Sequence, residues 1–181
     1  MSATPSAAPL ISDAYRALQA EMHKNPDYGV ASVQRAPLVA QLARQLKAAE
    51  ILDYGAGKGR LAEELGKHLG PSVAVRAYDP AIPAIAAPPA PCRLVACIDV
   101  LEHIEPDHID AVLDDLRRVT IGVGLYTIAT GPAAKKMPDG RNAHLIQQGA
   151  EWWMPKLFAR FNVKSFADEG ETLVVLVTRK P

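Results

Sequence analysis

The chain has 181 residues, enough for one domain with a full hydrophobic core. Its 20 basic and 20 acidic residues balance, which argues against a surface that grips long nucleic acid through phosphate contacts. No apolar run is long enough to span a membrane, and the two cysteines, Cys92 and Cys97, are expected to be free thiols in a reducing compartment. We therefore expect a cytoplasmic protein without a membrane partner.

The N-terminal part of the chain predicts a tail and two helices. Residues 1–12 are rich in Ala, Ser and Pro and lack a signal-peptide core, so we expect a flexible tail. Two helices are predicted within 13–48, separated by a turn at 25–29 and capped by Asp13 and Ser32. Apolar residues at helical spacing form one face of each helix: Tyr15, Leu18 and Met22 in the first, and Leu38, Val39, Leu42 and Leu46 in the second.

The remaining residues, 49–181, predict a domain in which strands and helices alternate. Four strands are predicted, at 50–54, 73–78, 93–98 and 120–129. Helices are expected after the first strand, from Pro106 onwards and over 151–161, and a hairpin of two more strands at 163–166 and 172–177. This order predicts an α/β fold, a Rossmann-like and mostly parallel twisted sheet of six strands with an antiparallel C-terminal hairpin.

A glycine-rich loop at the end of the first strand is the strongest motif. The sequence Asp53-Tyr54-Gly55-Ala56-Gly57-Lys58-Gly59 lies where a strand turns into a helix. Glycines there allow a tight turn and a close approach of the backbone to a ligand. The next strand ends at Asp79, whose carboxylate can accept hydrogen bonds from the two hydroxyls of a ribose. Together these features indicate a cofactor that contains adenosine.

The residues around the loop favour S-adenosylmethionine over a dinucleotide. A dinucleotide fingerprint needs glycine where this chain has Arg60. Asp53 precedes the glycines, and a carboxylate there would repel a pyrophosphate but attract a sulfonium and an amino group. A small NAD(P)-dependent oxidoreductase is kept as an alternative.

The pattern D-x-G-x-G-x-G of residues 53–59 resembles motif I of the class I S-adenosylmethionine-dependent methyltransferases, and the resemblance extends over about residues 30–179. It implies that one set of residues holds the methionine end of the cofactor, namely Asp53, Gly55, Ala56, Gly57 and Gly59. It also implies that Asp79 and Pro80 hold the ribose, and that Asp99 and Val100 line the site.

The chain departs from these methyltransferases after the ribose-binding acid. The family has a further helix and strand there, whereas residues 80–91 contain five prolines, which exclude a regular helix. We expect this edge strand to be shortened or missing. Residues 97–100 are then expected to take over part of the contact with adenine.

A second group of polar residues follows the third strand. Asp99, Glu102 and His103 are spaced i, i+3 and i+4, so a helical turn would place them on one side, and His144 follows the next strand and its loop. Two carboxylates and two imidazoles can hold a divalent metal such as Mg²⁺ or Mn²⁺, which would clamp two oxygens of an acceptor.

These residues resemble two groups of methyltransferases. The ubiquinone-biosynthesis O-methyltransferases have Glu-His at this place and a later histidine. The small-RNA 3′-terminal 2′-O-methyltransferases have an acid-x-x-Glu-His motif and a later histidine, which bind magnesium, followed by an aromatic stretch such as Trp152-Trp153 here. Three interpretations stay open: a metal site; a metal-free general base at His103 or His144; or a hydrogen-bonded pair, Glu102 and His103, that only shapes the site.

Other segments are expected near the acceptor. One tryptophan of Trp152-Trp153 should be core and one nearer the site, and the loop 131–143, with its three cations, is either a flap or a solvated loop. In similar enzymes, N-terminal residues cover the cofactor, and here they would be Tyr15, His23, Tyr28 and Arg35. The alternative is that the two helices simply pack on the sheet.

The sequence thus predicts a methyltransferase that acts on an oxygen atom, with or without a metal. The expected acceptor is a small molecule with a diol or catechol, a sugar, or a nucleic-acid terminus. A non-catalytic S-adenosylmethionine-binding module that regulates a partner is the other alternative.

Overall fold

The structure is a computed structural model that describes residues 8–25, 28–29 and 32–180. The expectations for residues 1–7 and for the middle of the turn at 25–29 lie outside these residues. Within them, no helix is both long and apolar enough to cross a membrane.

A sheet of six strands forms the centre of the fold, as predicted. The strands are β1 (Glu50–Tyr54), β2 (Ala74–Tyr78), β3 (Cys92–Ile98), β4 (Thr120–Ala129), β5 (Phe161–Asp168) and β6 (Thr172–Arg179). Their order is β2-β1-β3-β4-β6-β5. The pairs from β2 to β4 are parallel, whereas β6 pairs antiparallel with both β4 and β5. The α/β, mostly parallel fold with an antiparallel C-terminal hairpin is therefore confirmed.

Five α-helices cover the sheet or its edge. They are α1 (Asp13–Met22), α2 (Ser32–Gln45), α3 (Arg60–Leu69), α4 (Ile109–Val119) and α5 (Ala150–Arg160). Alternate residues of the central strands face opposite sides. Leu94 and Ala96 pack with α2 and α3, whereas Val95 and Cys97 pack with α4 and α5. Both cysteines are buried free thiols.

The expected loss of an edge strand is confirmed. In the described part of the chain, β2 pairs only with β1 and forms the edge of the sheet. The proline-rich segment after it contains a single short 3-10 turn, Pro83–Ile85. Because proline lacks an N–H and restricts the residue before it, this segment can form neither a helix nor a paired strand.

Several details of the helices differ from the prediction. Ser12, not Asp13, caps α1, because its side chain accepts a hydrogen bond from the Tyr15 N–H. Pro106 begins a 3-10 turn, and α4 starts only at Ile109.

The buried face of α2 was predicted only in part, since Val39 is buried and Leu42 packs against the core cluster. This face consists of Ala36, Val39, Ala40 and Ala43, whereas Leu38 and Leu46 are exposed. Three small alanines allow α2 to lie close to its neighbours. Its apolar contacts therefore come mainly from the alanines and Val39, with Leu42 packed against the same cluster.

Candidate functional site

A cavity of about 430 Å³ opens at the carboxyl ends of the four parallel strands. Most of the predicted site residues line it: Asp53, Gly55, Ala56, Gly57, Asp79, Pro80, Asp99, Val100, Glu102, His103 and His144. Gly59 does not line the cavity. It is the N-cap residue of α3, with φ 74°. Open parallel sheets place ligands at this edge, so the cavity is the candidate site.

Asp53 is a buried acid with unused hydrogen-bonding capacity. The residue is 3% exposed, and its Oδ2 has no hydrogen-bond partner among the described residues. Burial, and secondly the charge of Asp79, raises the pKa of Asp53 to about 7. A buried carboxylate without a partner is costly. The site therefore fits a ligand that brings a cationic group to this oxygen.

The glycine loop is fixed closely against its surroundings. Gly55 has φ 82°, and a Cβ atom added there would lie 2.5 Å from Cγ2 of Val100. The N–H groups of Gly55 and Ala56 donate to the Tyr78 carbonyl at 2.8 and 3.0 Å, which ties the loop to β2. The loop therefore presents bare backbone to the cavity, as close approach of a ligand requires.

The carboxylate of Asp79 is oriented by two backbone groups. Its Oδ2 accepts from the Gly57 N–H at 3.0 Å, and its Oδ1 accepts from the Ala81 N–H at 2.9 Å. A carboxylate oxygen can accept more than one hydrogen bond. Asp79 is therefore held in place with capacity left for a ligand that donates hydroxyl groups.

Asp99 does not join the second polar group in the way that was predicted. It has φ 53°, which is unusual for a residue other than glycine, and its Oδ1 accepts from the Thr127 hydroxyl at 2.8 Å. The helical turn that was expected to start at Asp99 is absent, because the chain turns left-handed there and a 3-10 turn begins only at Leu101. Asp99 lines the cavity but lies outside the cluster described next.

Glu102, His103 and His144 form one cluster, in which the three nearest ligand atoms lie within 4.8 Å of one another. Glu102 is fully buried. Its Oε1 accepts from the Ala129 N–H at 3.1 Å, and its Oε2 has no partner among the described residues. Burial, and then the charge of Asp99, raises the pKa of Glu102 to about 8.

The two histidines of the cluster are fixed in one tautomer. Nδ1 of His103 donates to the Ala143 carbonyl and Nδ1 of His144 to the Gly131 carbonyl, both at 2.7 Å, since a carbonyl can only accept. Each Nε2 is then left with its lone pair. Burial, and secondly the neighbouring His144, lowers the pKa of His103 to about 4. The cluster can therefore act as a metal-ligand set or as an acceptor of a proton.

A segment of α1 and the following residues covers the cavity. The hydroxyl of Tyr15 donates to the His103 carbonyl, and Gln19 bridges the hydroxyls of Tyr15 and Tyr28 at 2.5 and 3.1 Å. The ring of Tyr28 meets the rings of His23 and His103 edge to face. Tyr15, His23 and Tyr28 all line the cavity.

The sequence analysis missed one contact that holds this cover. The N–H and hydroxyl of Ser12 both donate to the carboxylate of Glu105, at 2.8 and 2.6 Å. This carboxylate lies just beyond the turn that carries His103. The N-cap pattern of Ser12 is the one sequence signal that bears on this contact. Nothing in the local sequence connects Ser12 with Glu105.

The sequence matches the methyltransferase-domain family over residues 29–168. The chain is a class I S-adenosylmethionine-dependent methyltransferase. No curated protein matches the sequence significantly.

Solved structures of other methyltransferases share the fold. A 1,6-didemethyltoxoflavin-N1-methyltransferase from Burkholderia thailandensis, bound to 1,6-didemethyltoxoflavin and S-adenosylhomocysteine, is 19% identical, with a TM-score of 0.66 over 98% of this chain and 95% of its own. DhpI in complex with S-adenosylhomocysteine is 16% identical, with a TM-score of 0.56 over 91% and 94%. Mitomycin 7-O-methyltransferase MmcR is 12% identical, with a TM-score of 0.59 over 81% and 54%.

Some residues that were expected near the acceptor lie elsewhere in this methyltransferase. Arg35 pairs with Glu169 at 2.7 Å and does not line the cavity. Trp153 is core, as expected, but Trp152 packs under Lys156 rather than near the site. The two rings contact each other edge to face, with centroids 4.8 Å apart, and neither lines the cavity. The loop 131–143 does reach the cavity, with residues 132–135 in its wall.

Proposed function

We propose that this methyltransferase transfers the methyl group of S-adenosylmethionine to an oxygen atom of a small-molecule acceptor. The observation that carries the proposal is the buried cluster of Glu102, His103 and His144 in the same cavity as the glycine loop. A hydroxyl acceptor must lose its proton during transfer, and this cluster offers groups that can take it or lower its pKa. The mitomycin methyltransferase of the same fold is named for transfer to oxygen.

The cofactor is proposed to lie along the ends of β1 and β2. The free oxygen of Asp53 would hold the ammonium of its methionine end, and the backbone of Gly55, Ala56 and Gly57 would lie against it. Asp79, followed by Pro80, would receive the ribose hydroxyls, and the orientation of its carboxylate by two backbone N–H groups supports this role. Asp99 and Val100 would form the wall beside it. When bound, S-adenosylmethionine supplies a methyl group on a positively charged sulfur.

The residues of the chain have three tasks in such a transfer. The cavity aligns the acceptor oxygen with the methyl carbon and excludes water, which accounts for most of the rate. The oxygen–carbon bond forms as the carbon–sulfur bond breaks, and the electron pair stays on sulfur, which yields S-adenosylhomocysteine. If the cluster holds no metal, the hydroxyl proton would pass to Nε2 of His103 or His144, whose Nδ1 atoms are already held by carbonyl groups.

We further propose that the cluster holds a divalent metal. Glu102 offers a buried oxygen without a partner, and both histidines have the backbone-anchored Nδ1 that is typical of metal ligands. Two imidazoles and one carboxylate suit Mn²⁺ better than Mg²⁺, which prefers oxygen ligands. When bound, the metal would hold two neighbouring oxygens of an acceptor diol or catechol and lower the pKa of the attacked hydroxyl.

The N-terminal residues 13–48 are proposed to form the cover of the site, and residues 49–181 the catalytic core. The contacts of Tyr15 with the His103 carbonyl and of Ser12 with Glu105 support this division. A cover over the acceptor side limits the size of the molecule that can enter, which favours a small acceptor over a nucleic-acid terminus.

The proposal is tested first by calorimetric titration with S-adenosylhomocysteine. We expect micromolar binding to the wild type, weaker binding to Asp53→Asn, and unchanged binding to Asp114→Asn, since Asp114 pairs with Arg160 outside the cavity. Methyl transfer from labelled cofactor is then assayed with catechols, sugars and heteroaromatic amines. Transfer to amines but not to hydroxyl compounds would overturn the oxygen assignment, and absence of binding would overturn the cofactor assignment.

A further inference from the structure

His23 lies against the glycine loop although it comes from the N-terminal cover. It follows the last turn of α1, and its Cε1 lies 3.0 Å from the place where a Cβ atom on Gly57 would be. The ring of Tyr28 meets it edge to face, with ring centroids 5.3 Å apart. The backbone of Gly57 and the ring of Tyr28 therefore hold the imidazole in one place.

The imidazole of His23 has a buried polar atom without a partner. Within the described parts of the chain, Nδ1 is inaccessible to solvent and forms no hydrogen bond. His23 lines the same cavity as Asp79. Burial lowers the pKa of His23, against the opposing effect of the Asp79 charge, so the ring is neutral at pH 7. A neutral imidazole pairs well with a hydroxyl group, to which its nitrogen can donate or from which it can accept.

The position of His23 relative to Asp79 points to a particular part of the ligand. The N–H of Gly57 binds Asp79, and the α-carbon of Gly57 supports the imidazole ring. Both side chains therefore approach the cavity at the same residue of the loop.

We propose that His23 is a positioning residue for the cofactor, whose Nδ1 forms a hydrogen bond with the ribose diol beside Asp79. The carboxylate and the imidazole then share the two hydroxyls, which places the ribose on the glycine loop. This inference rests on the proposed binding of S-adenosylmethionine and adds a ribose contact from the N-terminal cover.

The same contact links the two halves of the site. His23 and Tyr28 lie at the end of the cover with their rings in contact. The ring of Tyr28 also contacts that of His103, with centroids 6.0 Å apart. Lys58 of the glycine loop also donates to the carbonyl groups of Asn25 and Tyr28. A bound ribose therefore fixes the segment that shapes the acceptor side, so the cofactor should bind before the acceptor.

The test is a comparison of ligands that differ only in the groups that His23 could contact. S-adenosylhomocysteine, 5′-methylthioadenosine and the 2′,3′-dideoxy analogue of S-adenosylhomocysteine are titrated by calorimetry. The variants are His23→Ala, His23→Asn and the control His68→Ala, an α3 histidine that does not line the cavity. Asparagine places a polar atom near the position of Nδ1 and should restore part of the affinity.

We expect His23→Ala to bind S-adenosylhomocysteine and 5′-methylthioadenosine about fivefold more weakly than the wild type, as for one lost hydrogen bond. The dideoxy analogue should bind both proteins equally. Equal binding of S-adenosylhomocysteine by a folded His23→Ala would overturn the inference but not the proposed function. A loss that disappears with 5′-methylthioadenosine would also overturn it, because the contact would then be with the amino-acid end. A wild type that binds none of the ligands would overturn both.

Should His23→Ala melt well below the wild type, the same comparison is made with His23→Asn and His23→Gln, which keep a polar group. The contact is supported if the two variants differ in affinity for the two ligands that carry the ribose diol but not for the dideoxy analogue. A purely structural role would change the affinity for all three ligands equally. Equal changes for all three ligands overturn it.

Discussion

The rings of His103 and His144 meet edge to face with centroids 4.8 Å apart, and a backbone carbonyl fixes the Nδ1 of each. The Nε2 of each ring remains for a ligand, and one ligand atom from each histidine and from the buried Glu102 lies within 4.8 Å of the others. Two imidazoles and one carboxyl group make a ligand set for a divalent ion, and this set does not need Asp99.

Loss of either histidine should therefore weaken metal binding. We expect the wild type to bind one Mn²⁺ per chain, and His103→Ala and His144→Ala to bind it at least about tenfold more weakly, since each removes one of three ligands. Asp99→Asn should keep its affinity, because Asp99 lies outside the cluster. Calorimetric titration of metal-free protein with MnCl₂ measures all four proteins.

The opposite pattern would identify a metal-free base. In that case the wild type gives no heat with Mn²⁺, and methyl transfer is unaffected by a chelator. His103→Ala or His144→Ala would still lose transfer while binding S-adenosylhomocysteine normally.

A side chain at Gly55 should damage both the fold and the cofactor site. Gly55→Ala places a Cβ atom 2.5 Å from Val100 at a φ of 82°, so strain and steric overlap add. We expect a loss of about 2–4 kcal/mol in the free energy of unfolding, measured by urea denaturation. Gly140→Ala is the matched control. It has φ 87° with no atom near the added Cβ, so it should lose only about 1 kcal/mol. An equal loss in both variants would refute the close contact with Val100.

The fold was largely predictable because its signals are local. The alternation of strands with helices whose apolar residues are regularly spaced defines a parallel sheet. The strand ends at Asp53-x-Gly-x-Gly and at Asp79 define the edge of that sheet at which a ligand binds. The proline-rich stretch 80–91 predicted the missing edge strand, because five prolines exclude both helix and ladder.

The finer arrangement of the site could not be predicted because it depends on long-range contacts. Asp99 adopts a left-handed conformation held by Thr127, which lies on a different strand, so the i, i+3, i+4 rule does not apply. Glu102 is buried because the Ala129 N–H reaches it from β4. The contact of Ser12 with Glu105 likewise joins residues that are distant in sequence, and no periodic pattern records it.

Binding of the cofactor should depend on pH through Asp53. Its pKa is raised to about 7, so near pH 6 the free protein carries Asp53 mainly protonated. The ammonium of the cofactor favours the ionised form, and affinity for S-adenosylhomocysteine should rise about tenfold between pH 6 and pH 8. Calorimetry in two buffers of different ionisation heat should show proton release at pH 7.

Asp53→Asn provides the control for this pH dependence. It should bind S-adenosylhomocysteine more weakly at pH 8 and with a flatter profile. Because the folded-state pKa lies above the unfolded value, the ligand-free wild type should also lose stability as pH rises from 3.8, the ordinary pKa of this carboxyl, to about 7, and Asp53→Asn should lose less. A steep profile that persists in Asp53→Asn would assign the titration to another group.

The contact of Ser12 with Glu105 should hold the N-terminal cover over the acceptor. Ser12→Ala removes the cap of α1 and one hydrogen bond to Glu105, and should reduce the stability of α1 by about 1 kcal/mol. Hydrogen exchange should show faster exchange of the α1 amides, with α4 unchanged. Methyl transfer should slow as well, because Tyr15 of α1 binds the His103 carbonyl.

The control for the cover is Asp13→Ala, one position further along, because Asp13 is exposed and, among the residues that the structure describes, pairs only with Arg16 of its own helix, at 3.8 Å. If Ser12→Ala and Asp13→Ala changed the exchange of α1 equally, the effect would come from the helix terminus alone. If Ser12→Ala accelerates the exchange of α1 more than Asp13→Ala does, and Glu105→Gln accelerates it in part, the cover is held from the turn bearing His103. The acceptor side would then be closed by the same segment that carries His23 to the cofactor side.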